Sequence, residues 1–195
     1  VLKIKLLFSK SNDILVTTSG VLGDSIIIAQ PLFAVQEYCQ RHNQNLTIVC
    51  TKIGGFIFKD MANINANFLV YENRDCLRMR EVSLITKYIA SKKWKILLRF
   101  GLHFASLKFS IPAISEKSAF YSNFIDTLPK KERKLCKIVF DNLCNVENEV
   151  FIPNMLRKAM LSVGMDDFRT SHFFLELRKK NYQKKYILIC PEASG

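Results

Sequence analysis

The sequence lacks the features that announce a membrane span, a disulfide scaffold or a nicotinamide site. No apolar run approaches the roughly 20 residues needed to cross a bilayer. Val1 to Lys10 mixes three lysines into an apolar stretch too short for a signal peptide. The expected compartment is therefore the cytoplasm. Six cysteines (Cys39, Cys50, Cys76, Cys136, Cys144 and Cys190) are scattered without any Cys-x-x-Cys spacing. Buried reduced thiols are the ordinary outcome of such a pattern, so neither metal nor disulfide is expected. Glycine is scarce, seven in all, and no third glycine follows Gly20 and Gly23 within a helix turn. The Gly-x-Gly-x-x-Gly dinucleotide fingerprint is missing, which argues against a nicotinamide cofactor. Acidic residues are also few: 17 Asp and Glu face 29 Lys and Arg, for a net charge of +12. That balance favours an anionic partner, whether nucleic acid, a phospholipid surface or a phosphorylated or carboxylated glycan. The aromatics, 15 of them Phe, fall in apolar runs rather than alternating with basic residues, which speaks against a nucleic-acid stacking platform.

What is present is enough for one substantial domain. The chain has 195 residues, 49% hydrophobic and 24% charged, a composition that buries a core. Its organising stretch is Ile14 to Ile28: an apolar β-branched run, a small-residue turn with Gly20 and Gly23, then a second apolar run. This reads as strand, tight loop and helix. Such a loop brings backbone N–H groups close to a ligand, and the helix start adds a positive dipole end, so an anion or sugar is expected there. Asp24 is the one loop residue suited to proton transfer from a substrate hydroxyl. The competing role for it is helix N-cap.

Along the chain, β and α patterns alternate. Strands are expected at about Asp13 to Thr17, Leu46 to Cys50, Phe68 to Tyr71 and Ile96 to Leu98, with a short one at Ser110 to Ser115 that Pro112 pushes toward an edge. Helices are expected from Asp24 to about Arg41 with Pro31 inside, from Phe56 to Ala62 after a Gly54-Gly55 turn, around Val82, Ile85 and Ile89, and over Gly101 to Phe109. Ser118 to Pro129 reads as a loop, Lys130 to Cys144 as an amphipathic helix, and Asn154 to Val163 as a helix ended by Gly164 in a left-handed cap. His172 to Leu177 and Tyr186 to Cys190 read as strands. Arg99, His103 and Ser106 fall near a strand's carboxyl end, with His103 expected to be structural. The whole is an α/β fold, a Rossmann-like and mostly parallel sheet with helices on both faces.

Three stretches resemble a known family, of which the middle one, Phe56 to Asn67 followed by Phe68-Leu69-Val70-Tyr71, is similar to its second helix, Asn-rich turn and third strand. Ser19-Gly20-Val21-Leu22-Gly23-Asp24-Ser25-Ile26, followed by Pro31-Leu32-Phe33-Ala34-Val35, resembles the opening of the heptosyltransferases, glycosyltransferase family nine. Tyr186-Ile187-Leu188-Ile189-Cys190-Pro191-Glu192-Ala193-Ser194 is similar to the strand and Pro-Gly-Ala-Ser loop that open that family's second domain, with Glu192 in place of the usual glycine. The resemblance implies a GT-B fold, in which two Rossmann-like domains face each other. The first binds the acceptor and supplies a catalytic aspartate, here Asp24, and the second binds the nucleotide-sugar. It further implies an acceptor domain over residues 1–180 and the start of a truncated second domain over 181–195.

The function so implied is that of an inverting sugar transferase using a donor such as ADP-heptose and a lipopolysaccharide-core or related glycan acceptor, without metal or other cofactor. Ser19, Gly20, Gly23 and Ser194 are the expected substrate contacts. Peripheral contact with the inner face of the cell membrane fits the basic balance, and no nucleic-acid partner is expected. The rival from another class is a non-catalytic or truncated Rossmann-like module that binds a nucleotide, phosphate or other anion.

Overall fold

A computed structural model describes residues 11–72, 77–101, 103–122, 125–145 and 152–165. Six strands form one sheet: β1 (Asp13–Thr17), β2 (Asn45–Thr51), β3 (Asn67–Tyr71), β4 (Lys93–Arg99), β5 (Ile114–Ser122) and β6 (Asn142–Asn145), in the order β3-β2-β1-β4-β5-β6. Every neighbouring pair is parallel. The order reverses between β1 and β4, and this is where open α/β sheets leave a ligand crevice beyond the strands' carboxyl ends. The helices are α1 (Leu22–Arg41), α2 (Lys52–Gly55), α3 (Met79–Ala90), α4 (Phe104–Ser110), α5 (Lys130–Val139) and α6 (Ile152–Ser162). A wider π-helical turn, Phe56–Met61, continues α2.

Strand alternation sorts the apolar residues into two cores. Ile14 and Val16 of β1 join Ile48, Cys50, Ile96 and Leu98 under α1, the π turn and α6. Leu15 joins Val49, Tyr71, Leu97 and Phe120 under α3, α4 and α5. Burial on both sides explains why β1 reads as a continuous apolar run. Each fully buried Leu, Ile or Val there contributes about 1.5–3 kcal/mol relative to exposure. The parallel α/β sheet covered on both faces is the architecture expected from the sequence.

Several boundaries differ from those expected. Gly54 and Gly55 lie inside α2 rather than in a turn. A Cβ at Gly54 would stand 3.2 Å from Phe58 and one at Gly55 3.2 Å from Val70, so close helix packing selects the glycines. The fifth strand begins at Ile114 and runs inside the sheet between β4 and β6, with Pro112 in the turn before it. Ser118 to Ser122, expected as loop, is therefore strand; Ser118 is buried, and its Oγ lies 2.9 Å from the Asp141 amide that donates to it. The basic helix stops at Val139 instead of Cys144, because Phe140 turns extended and leads into β6. Gly164, at φ +84°, does take the left-handed conformation after α6. Ser194, the later strands and the 181–195 segment lie outside the described residues.

Candidate functional site

The β1–α1 loop leaves the centre of the sheet at the point of strand reversal, and its neighbours hold it at nearly every residue. The Thr18 amide donates to Val49 O at 2.8 Å, and the Phe100 amide to Thr17 O at 2.9 Å. The Tyr71 hydroxyl donates to Thr18 O at 2.9 Å and Thr51 Oγ1 to Gly20 O at 2.9 Å. Thr17 and Ser110 hydroxyls lie 2.7 Å apart. A net hydrogen bond of this kind is worth about 1 kcal/mol, so the loop geometry is fixed before any ligand arrives.

Two glycines are required by close approach. A Cβ at Gly20 would stand 2.8 Å from that of Asp24, and one at Gly101 would stand 2.5 Å from Ser19 Oγ and 2.9 Å from Ser19 N. The β1–α1 and β4–α4 loops are thus in contact across the reversal point. Ser19 and Gly20 are buried beneath this contact, whereas Gly23 is exposed, with nothing within 4 Å of where its Cβ would be. Helix α1 begins two residues earlier than expected, with extended Val21 at its N-cap, so Asp24 is the third helical residue and not the cap. Val21 offers no side-chain acceptor. The half-buried Asp24 carboxylate and the Gly23 backbone therefore share the helix's first turn, at the positive end of its dipole. Ser25 Oγ, directly behind, is buried with no hydrogen-bond partner.

The β4–α4 loop rests on a buried arginine that the sequence placed only near a strand end. Arg99 is wholly buried: Nε donates to Ser106 Oγ at 2.9 Å, Nη2 to His103 O at 3.3 Å, and Nη1 lies 3.2 Å from Cys136 Sγ. Its guanidinium stacks over Phe120 at 4.1 Å from the ring centroid. Burial pushes it down to about 10, opposed by Cys136 and Glu132, which leaves it charged at neutral pH. Ser106 in turn donates to Gly101 O at 2.8 Å. His103 caps α4, its Nδ1 accepting from the Ala105 amide at 3.3 Å, which is the structural role expected for it. Thr51 and Tyr71, which fasten the loop, had no sequence signal beyond a threonine preceding a helix and a tyrosine ending a strand.

Among the described residues no group of three or more His, Cys, Asp and Glu is placed to hold a metal. Burial pushes the Cys39 and Cys50 thiols up to about 12, so both are neutral at physiological pH.

No protein-family model and no curated protein matches the sequence. Solved structures do match. A family 9 glycosyl transferase from Veillonella parvula DSM 2008 superposes with a TM-score of 0.56 at 12% identity, over 82% of this chain and 44% of that one. The E. coli heptosyltransferase WaaC with ADP superposes with a TM-score of 0.57 at 13% identity, over 81% of this chain and 49% of that one. The same enzyme with ADP-2-deoxy-2-fluoro heptose gives 0.57 at 9% identity. The fold is that of half a GT-B glycosyltransferase. The chain spans about half the length of the structures it matches.

Proposed function

We propose that this chain is the acceptor-binding half of an inverting glycosyltransferase that moves a sugar, such as heptose from ADP-heptose, onto a lipopolysaccharide-core or related glycan. The observation that carries the reading is the position of Asp24, in the first turn of α1 at the sheet's reversal point, directly after a loop locked from both sides. There the carboxylate takes the proton of an acceptor hydroxyl. The hydroxyl oxygen forms its bond to the anomeric carbon as the bond from that carbon to the diphosphate breaks, and the nucleoside diphosphate leaves with the electron pair. Gly23 contributes backbone approach, while Ser19 and Gly20 act through the shape of the loop. The diphosphate contacts belong to the facing half, with Ser194 at its start. Such a protein works in the cytoplasm, where nucleotide-sugars are made available.

In a protein carrying both halves of the cleft, Asp24→Asn is expected to lower kcat by about 10²–10⁴, with acceptor KM and Tm nearly unchanged. Transfer at the parental rate under saturating substrates would remove Asp24 from the chemistry. Calorimetric titration of the 195-residue chain with ADP-sugar provides a second test. Weak or no binding is expected, and micromolar binding, about −8 kcal/mol, would place the donor pocket in this half instead.

A further inference from the structure

A cavity of about 510 Å³ borders the amino ends of β1, β2 and β3, at the opposite edge of the sheet from Asp24. One wall is the second half of α1, which contributes Gln36, Cys39 and Gln40. The other is formed by Thr47 of β2, Leu69 of β3 and Tyr88 near the end of α3. Six of the bordering side chains are carboxamides: Gln36, Gln40, Gln44, Asn45, Asn65 and Asn67. The two charged residues on the border, Asp13 and Lys92, pair with each other at 3.5 Å.

Deeper in, hydrogen-bonding groups are left over. Gln36 is 8% exposed and Thr47 3%. Gln36 Oε1 accepts from the Asn65 amide, but among the described residues its Nε2 has no partner, and neither has the Thr47 hydroxyl. Gln44 Oε1 is buried and unbonded as well. Burial strips water from such groups, and native folds compensate with an ordered water or a ligand.

The lining selects among ligand classes. An anion finds no free cation, because Lys92 is held by Asp13 and lies over the Tyr88 ring at 4.8 Å from its centroid. The same contact covers one face of the ring against a stacking base. An apolar ligand would strand the carboxamides. Each carboxamide presents an acceptor oxygen and two donor hydrogens, and a sugar hydroxyl likewise accepts and donates. A neutral polyhydroxylated ligand therefore pairs with the whole set, and the volume falls within the range of about 300–1,000 Å³ usual for small-molecule sites.

We propose that this cavity is a binding site for a short neutral saccharide, held by the carboxamides of α1 and of the β2 and β3 starts, with Gln36 Nε2 and the Thr47 hydroxyl as its buried contacts. It uses no residue of the β1–α1 loop or of the first turn of α1, so the inference stands independently of the sugar-transfer reading.

Titration of the ¹⁵N-labelled 195-residue chain with maltose, lactose and sucrose, followed by amide NMR, tests it. At least one of the three is expected to bind with a millimolar or tighter Kd, shifting the backbone amides of Thr47, Asn65 and Asn67 and the side-chain NH₂ of Gln36 and Gln44. AMP and inorganic phosphate are expected to leave those resonances in place. Thr47→Val removes one hydroxyl at constant shape and should weaken binding about fivefold, and Gln40→Ala with Asn65→Ala about 25-fold, at about fivefold per lost hydrogen bond. Thr47→Val breaks no bond among the described residues, and Gln40 and Asn65 are exposed, so parental melting by circular dichroism is expected for all variants. Absence of binding by all three saccharides would overturn the proposal. So would shifts confined to Gly23 and Asp24, parental affinity in both variants, or AMP or phosphate binding at the same resonances as tightly as the saccharide.

Discussion

The two ends of the sheet are built differently. At the carboxyl end the β1–α1 loop is held by short, largely buried bonds from Tyr71, Thr51, Val49 and Phe100, and by the contact of Gly101 with Ser19. At the amino end, a cavity of about 510 Å³ is bordered by Asp13, Gln36, Asn45, Asn67, Tyr88 and Lys92. Its polar groups pair at the surface: Asn45 Nδ2 to Asp13 at 2.8 Å, Asn67 Nδ2 to the Tyr88 hydroxyl at 2.9 Å, and Lys92 to Asp13 at 3.5 Å. Water competes for the two amide pairs, and the Lys92–Asp13 pair is only part-buried. Stabilisation therefore concentrates at the end where a loop must keep one shape, and the solvated end contributes little despite its many polar contacts.

The contrast is broken most severely at Arg99. Arg99→Ala removes a large buried side chain together with the bonds that hold Ser106, His103 and the β4–α4 loop, and is expected to cost on the order of 3–5 kcal/mol in urea unfolding. Arg99→Lys keeps the charge but loses the planar fork that reaches Ser106, His103 and Cys136 together, so it should rescue only part of that loss. Full rescue would show that charge alone, not geometry, is what the loop needs.

Gly101→Ala comes next. Its Cβ meets the Ser19 backbone, which has no rotamer to escape into, and the expected cost is about 1–3 kcal/mol. In a protein carrying both halves, this variant should also lower transfer while leaving the Asp24 side chain in place. Parental stability would mean that the two loops part easily, and the carboxyl end would lose its claim to rigidity. Tyr71→Phe removes one hydroxyl from Thr18 O and should cost about 1 kcal/mol. Ser25→Ala, which removes a buried hydroxyl without a partner, should be neutral or slightly stabilising.

What the sequence disclosed follows the same division. β1 was legible to the residue because burial on both faces leaves only apolar side chains between Asp13 and Thr17, and Gly164 was legible because a helix ending in glycine has one common geometry. The order of strand, loop and helix was legible through Gly20, Gly23 and Asp24. The loop's fastening was not. Arg99 ends an apolar strand like any charged residue bound for solvent, and only the arrival of α4 and α5 on the same face surrounds it. Ser118 hid inside a polar Ser-Glu-Lys-Ser run whose hydroxyl is satisfied by Asp141, 23 positions away. Gly54 and Gly55 suggested a turn because the pressure that selects them comes from Phe58 and Val70, neither adjacent to them in sequence. Pairing across the sheet carries this information, and single-segment periodicity does not contain it.

The smallest loss is expected at the amino end, with Asp13→Asn. The substitution removes the ion pair to Lys92, whose side chain is 38% exposed, while an amide oxygen can still accept from Asn45 Nδ2. An exposed pair of this kind contributes about 0.2–1 kcal/mol, which for a domain of this size shifts Tm by no more than about 2–4 °C. The Lys92 pKa is raised, chiefly by its hydrogen bond with Tyr88 and further by Asp13, with burial acting against both. A raised lysine value stabilises the fold below the unfolded value, and that contribution is lost as pH rises through the folded one. The difference between parent and Asp13→Asn should therefore be flat from neutral pH to about pH 9 and close only in the lysine range above it. Added salt should shrink it at every pH. If Asp13→Asn instead costs more than Tyr71→Phe, and does so in high salt, the amino-end pairs are structural anchors and the asymmetry between the two ends of the sheet is not real.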